Sequence, residues 1–206
     1  DPRIQHALTL EVDDFGNVLK QAAIGYGRKA SPLTGEDKAK QEQQLVTLTE
    51  NDVTNSVDEA DDYRAPLASE VRTFELTGLR QKNGKRFQLG DFITLPGQEP
   101  PPVLEEIAYQ TAPDPAKPQK RLIERVRTLY RRNDLSGLLP LGRLESLALP
   151  GESYKLASSS ELLAEVFQRD GQQLLTDPAA VLTGKGADQG GYVDLDNDGR
   201  WWIPAG

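Results

Sequence analysis

Alternation with a period of two dominates the first part of the chain. In "HALTLEV", Leu8, Leu10 and Val12 fall on one face and Ala7, Thr9 and Glu11 on the other, which is the signature of a half-buried strand. "DDFG" follows as a turn, because Asp and Asn tolerate turn dihedrals and Gly16 accepts positive φ. "NVLKQAAIGY" then runs back, completing a hairpin. Residues 29–43 are polar and predict a surface loop with one helical turn. "QLVTLTENDVTNSV" returns to β-branched chemistry, with Thr47 and Thr49 suited to a half-exposed pleat.

Beyond the acidic connector "DEADDYRAPLAS", the stretch "EVRTFELTGL" alternates Val71, Thr73, Glu75 and Thr77 with Arg72, Phe74, Leu76 and Gly78. The second set is mostly apolar and is expected to face inward. "NG" in "GLRQKNGKRF" is a hairpin signal. "FQLGDFITL" and "VLEEIAYQ" each predict a short helix, and the prolines around them mark an exposed excursion over about 96–118. In "QKRLIERVRTLYRRNDL", Leu122, Ile123, Val126, Leu129 and Tyr130 fit helical spacing. A strand with Leu122, Val126 and Tyr130 on one side fits less closely. "GRLESLALPGESYKLA" reads as strand, Pro-Gly turn, strand. "SSSELLAEVFQRDG" reads as a helix capped by Ser159 or Ser160, striped by Leu162, Leu163, Val166 and Phe167, and ended by Gly171. "DPAAVL" gives one more short helix with Pro178 in its first turn.

Charge and composition narrow the functions. The chain has 206 residues, with 24 Lys+Arg against 32 Asp+Glu and a formal net charge of −8. That balance repels phosphate backbones and argues against a nucleic-acid partner. No apolar run approaches the ~20 residues needed to span a bilayer, so no direct membrane insertion is expected. The absence of Cys excludes disulfides, thiolate zinc sites and cysteine nucleophiles. The chain opens in strand-like alternation and closes on "GRWWIPAG", which predicts a single segment, residues 1–206, of a longer polypeptide.

Candidate chemistry is sparse. The one histidine, His6, lies in a strand, and no G-x-S-x-G elbow or Gly-rich phosphate loop is present. The pairs Asp13/Asp14, Asp61/Asp62 and Glu105/Glu106 are adjacent residues, which on a strand point to opposite faces, so they read as solvated surface. No catalytic or cofactor-binding residue is predicted. The sharpest local pattern is "DLDNDG", with Asp194, Asp196 and Asp198 before Gly199. Alternate oxygens before a glycine fit the first half of a calcium loop, while the same residues also fit a tight turn. Trp201 and Trp202 just beyond it motivate a calcium- or carbohydrate-binding β-module acting at a cell surface. The cations Lys120, Arg121, Arg125, Arg127, Arg131 and Arg132 are expected to pair internally, for instance with the acidic segment 58–62.

Five stretches carry a family likeness: "LTLEVDDFGNVLKQAAIGYGR", "DEADDYRAPLASEVRTFELTGL", "RLIERVRTLYRRNDL", "LALPGESYKLA" and "GGYVDLDNDGRWWIPAG". In order, and through nearly the whole chain, they resemble the middle, post-propeller region of the B component of bacterial insecticidal Tc toxin complexes. The resemblance implies a mainly β fold: antiparallel hairpins forming part of a curved Rhs-like β-shell, with a few short peripheral helices and proline-rich loops. It moves "RLIERVRTLYRR" from helix to strand. It also implies a secreted, structural role, in which the B and C components build a hollow cocoon around the cytotoxic effector. The implied partners are the propeller and Rhs shell of the same B component, the C component with its effector, and the pentameric A component through the propeller. "DDFGNVLK" and "YVDLDNDGRW" approximate the YD-repeat form, a device for reversing strands.

Overall fold

The computed structural model describes residues 3–205 apart from 185, 187 and 188. Along the chain come β1 (Ile4–Val12), β2 (Val18–Tyr26), α1 (Gly35–Glu42), β3 (Leu45–Val53), β4 (Val57–Asp58), β5 (Tyr63–Arg64) and β6 (Ala68–Thr77). Then follow β7 (Glu105–Ile107), β8 (Gln119–Tyr130), β9 (Pro150–Ser159), α2 (Ser160–Val166), β10 (Gln168–Arg169), β11 (Gln172–Gln173), α3 (Pro178–Leu182) and β12 (Arg200–Pro204). The fold is mainly antiparallel β with a few short helices, as expected. Two compact units are formed: Asp1–Asn51 with Arg72–Ile123, and Asp52–Val71 with Glu124–Gly206.

In the first unit the strand order is β1, β2, β3, β6, β8, with β7 parallel to β8. Its core is one apolar face of this sheet: Leu10, Ala22, Ile24, Val46, Leu48, Phe74 and Leu76, joined by Phe87 from the loop after β6. Phe74 and Leu76 face inward as their alternation predicts, and Leu8 packs against the cluster. Val12 leaves the face and is half exposed, because register shifts at Thr9, Glu11 and Val12 twist the end of β1. The polar loop before β3 contains the two-turn helix α1, which buries no residue and carries ion pairs of Lys40 with Glu36 and Lys38 with Glu42.

Several expectations are corrected here. "NG" makes a 3₁₀ turn, Lys82–Gly84, rather than a hairpin. "FQLGDFITL" forms only the 3₁₀ turn Leu89–Asp91, closed by reciprocal bonds between Gln88 and Asp91. The irregular path lets Phe87, Leu89, Phe92 and Ile93 all reach the sheet, which one helical face would not allow. "VLEEIAYQ" contains no helix. Its Glu105, Glu106 and Ile107 pair with Gln119, Lys120 and Arg121 as β7, because the edge of β8 offers backbone partners and Glu106 meets Lys120 at 3.1 Å.

In the second unit β8 pairs β9 and β9 pairs β12, all antiparallel. Residues 142–149 form turns, not the expected strand. They are held by Asn55, whose side chain donates to the Leu144 carbonyl at 3.1 Å and accepts from the Leu144 N–H at 2.9 Å. Leu144 thereby joins Tyr130 and Leu139 in a small core. Pro150 and Gly151 open β9 instead of turning it. A Cβ on Gly151 would lie 2.4 Å from the Leu129 carbonyl oxygen, so the closest approach of β9 to β8 requires glycine. The helix capped by Ser159 ends at Val166, short of Gly171. Asp170 and Gly171, both with positive φ, turn the β10–β11 hairpin, the usual outcome of an Asp-Gly pair between strands. α3 forms as predicted, with Asp177 accepting from the Ala180 N–H.

Candidate functional site: a buried charge cluster and two aspartate-locked turns

β8 is a strand, as the family likeness required, and its cations explain why. Arg125 and Arg127 stand two residues apart and so share one face. Both reach Glu70 on β6. Arg125 donates from Nε to Oε1 at 3.1 Å and from Nη2 to Oε2 at 3.2 Å. Arg127 donates from Nε to Oε1 at 2.5 Å, and its Nη1 reaches Asp196 Oδ2 at 2.7 Å. The Glu70 side chain is 5% exposed and that of Arg127 9%, whereas that of Asp196 is 41% exposed. Both guanidinium groups thus meet the Glu70 carboxylate, and Arg127 meets Asp196 as well. Burial alone would lower the Arg127 pKa, but the bonds to Glu70 and Asp196 outweigh it and hold the guanidinium above its ordinary value. Both guanidinium groups also lie over the ring of Trp202, with Cζ 5.4 Å (Arg125) and 4.5 Å (Arg127) from its centroid.

Of the other cations in the run, Lys120, Arg121 and Arg131 pair within the chain as expected, with acids other than those of residues 58–62. Lys120 meets Glu106 and lies 4.5 Å from the Phe74 ring centroid. Arg121 bonds Glu75, and Arg131 meets Glu152 at 3.9 Å. Their partners sit on neighbouring strands, which bring acids alongside at the spacing of the sheet. Glu70 was the residue sequence reasoning missed. Its one visible signal is an acid at the start of a strand otherwise rich in apolar positions.

The three aspartates of "DLDNDG" point to different tasks. Asp194 accepts from the N–H groups of Asp198 (3.1 Å) and Gly199 (2.9 Å). Asp196 turns inward to Arg127. Asp198 accepts from the Arg200 N–H and meets its guanidinium at 3.0 Å. Among the described residues no group of three or more His, Asp or Glu side chains is placed to hold a metal ion. Asn197 and Gly199 have positive φ, so the stretch is a tight turn leading into β12.

The first aspartate turn is built the same way. Asp13 Oδ1 accepts from the N–H groups of Phe15 (3.0 Å) and Asn17 (2.8 Å), and Oδ2 accepts from the Asn17 amide at 2.9 Å. Gly16 has φ +86°. The Asn17 amide is the main reason the Asp13 carboxyl is held below its ordinary pKa, with the backbone N–H bonds adding to it. In both turns, then, an aspartate locks the backbone of a strand reversal.

Other candidates resolve plainly. His6 stacks on Tyr26, its Nδ1 3.4 Å from the phenolic oxygen. Trp201 and Trp202 are 6% and 0% exposed, so neither offers a face to a sugar ring. Glu105 and Glu106 are exposed strand neighbours, and Glu105 accepts from Gln119. An open groove of about 710 Å³ in the first unit is lined by Leu45, Thr47, Tyr109, Pro113, Arg121 and Ile123. Its one acid, Glu75, is bound to Arg121.

Residues 1–65 match the family described as "Insecticide toxin TcdB middle/C-terminal region". A crystal structure of TcdB2-TccC3 superimposes with a TM-score of 0.62 at 15% identity, covering 99% of this chain and 10% of that one. The chain is similar to the middle region of a Tc toxin B component. TcdB2-TccC3 without its hypervariable C-terminal region gives a TM-score of 0.62 at 16% identity, covering 99% and 9%. A Photorhabdus luminescens Tc holotoxin pore with a mutated TccC3 gives 0.57 at 14%, again covering 99% and 9%. No curated protein matches in sequence. The chain spans about a tenth of the length of the solved Tc toxin chains it matches. At such identities what the Tc toxin structures share with it is the fold.

Proposed function

We propose that this chain is a structural, non-catalytic segment of a Tc toxin B component, one panel of the β-sheet cocoon that encloses a cytotoxic effector before delivery. The observation that carries the reading is the likeness over 99% of the chain to a tenth of TcdB2-TccC3. The pairing of its charges within the chain supports it. Glu70 and Asp196 pair with Arg125 and Arg127, while Asp194 and Asp198 accept from backbone N–H groups of their own turn. In this reading the partners are the propeller and Rhs shell of the same polypeptide, the C component with its effector, and the A component through the propeller. The complex is secreted, and no described helix is long and apolar enough to cross a membrane.

The test is protease protection of the effector. The complete B component, co-expressed with its C component, is expected to shield the effector from trypsin. A version lacking residues 1–206 is expected to leave it digestible. Full protection without this segment would overturn the reading.

A further inference from the structure

The outer sides of β1 and β12 differ. In the second unit, the outer side of β12 is occupied by the chain itself. The Val193 N–H donates to the Trp202 carbonyl and the Trp202 N–H to that of Val193, both at 2.8 Å, and Pro204 lacks a donor. In the first unit, β1 pairs with β2 alone among the described residues. Its residues 4–10, "IQHALTL", contain no charge and no proline. Proteins ordinarily guard a long edge strand with Lys, Pro, a bulge or a covering loop. Among the described residues of β1 such devices lie at its far end, in the charged Glu11 and the irregularity at Thr9, Glu11 and Val12, which leaves residues 4–9 as a regular ladder paired on the β2 side.

We propose that the open edge of β1 is a docking site for an extended strand from elsewhere in the larger polypeptide, pairing along residues 4–9. Side-chain placement sets the partner's chemistry. Ile4, His6 and Leu8 are half-buried, while Gln5, Ala7 and Thr9 are exposed. The incoming strand therefore alternates, presenting apolar side chains beside Ile4, His6 and Leu8 and polar or β-branched ones beside the others. A second copy of the chain is the poorer occupant, since each carries a net charge of −8 and like-charged surfaces repel. About nine-tenths of the matched chains lies outside this segment, so a polypeptide of that size has ample length to supply the strand. The proposal rests on the shell reading only in taking the partner from the same polypeptide.

Hydrogen exchange read by mass spectrometry tests it. In the 206-residue chain alone, alternate amides of residues 5–9 are expected to exchange at nearly open rates while those of β12 are protected. In the intact polypeptide the β1 amides are expected to slow by at least about tenfold. Unchanged exchange of β1 in the intact polypeptide overturns the proposal, and if the effector is still protected from trypsin the shell reading survives that failure. Slow exchange in the 206-residue chain that vanishes on dilution would assign the edge to a second copy and also overturn it.

Discussion

Replacing Glu70 with Gln removes the buried carboxylate to which both Arg125 and Arg127 donate, and leaves those two guanidinium groups without its charge. The Glu70 side chain is 5% exposed and accepts from both guanidinium groups, so water cannot readily replace it. Breaking a buried ion pair from one side costs roughly 3–5 kcal/mol, because the partner is left charged and unpaired. Against a total stability of about 5–15 kcal/mol, that is a large fraction. With a urea m-value of about 2 kcal/mol/M, a loss of ~4 kcal/mol lowers the midpoint by about 2 M. Urea unfolding followed by far-ultraviolet circular dichroism, with wild type and E70Q fitted to a shared m-value, measures this directly. Replacing Glu70, Arg125 and Arg127 together with Leu, Met and Met is expected to recover most of the loss, since a well-packed apolar substitute avoids the desolvation of all three groups. D196N, at the exposed end of the cluster, is expected to cost about 1 kcal/mol. If E70Q shifts the midpoint by less than ~0.5 M, the cluster is hydrated and the reasoning fails.

Three further outcomes are expected. Millimolar calcium should leave the thermal midpoint unchanged, because Asp194, Asp196 and Asp198 already hold donors; a clear rise would favour the calcium loop instead. The Asp13 carboxyl has a lowered folded pKa, so its contribution is present above the unfolded value of about 3.9 and is lost as pH falls further. Melts of wild type and D13A should therefore differ at neutral pH and converge in acid, and a constant difference would show that the charge is irrelevant. Tyr154 is pushed up to about 12 by burial and by its bond to Glu152. Its contribution is complete below the unfolded pKa of about 10 and is lost as pH rises from there towards the folded value. Phenolate absorbance in wild type minus Y154F should accordingly show one late-titrating tyrosine.

How much was legible in the sequence depended on whether a local signal had a rival. The β1–β2 hairpin was readable because alternation, Asp13 and Gly16 all agree. α3 was readable from Pro178 in its first turn, and the structure adds Asp177 as its cap. β8 misled the apolar count because Ile123, placed by helical spacing with the core, is 43% exposed. The arginines between its apolar residues look like a polar helix face until β6 supplies Glu70 and Glu75. "NG" at 83–84 and "DG" at 170–171 offered the same kind of turn signal. Only the second lies between segments that pair, and nothing local separates them. Residues 142–149 have strand-like composition, yet Asn55, nearly ninety positions away, captures the backbone of Leu144 and folds them into turns. The charge cluster was half visible: its cations stood out as a run, and its central acid did not.

Both tryptophans of the chain lie side by side in β12, which places every indole in the second unit. Intrinsic emission excited at the indole band is therefore a reporter of that unit alone and is blind to the first. If the two units melt at different temperatures, the emission curve and the circular dichroism curve will part. A single unlabelled sample is enough to learn whether the halves come apart together.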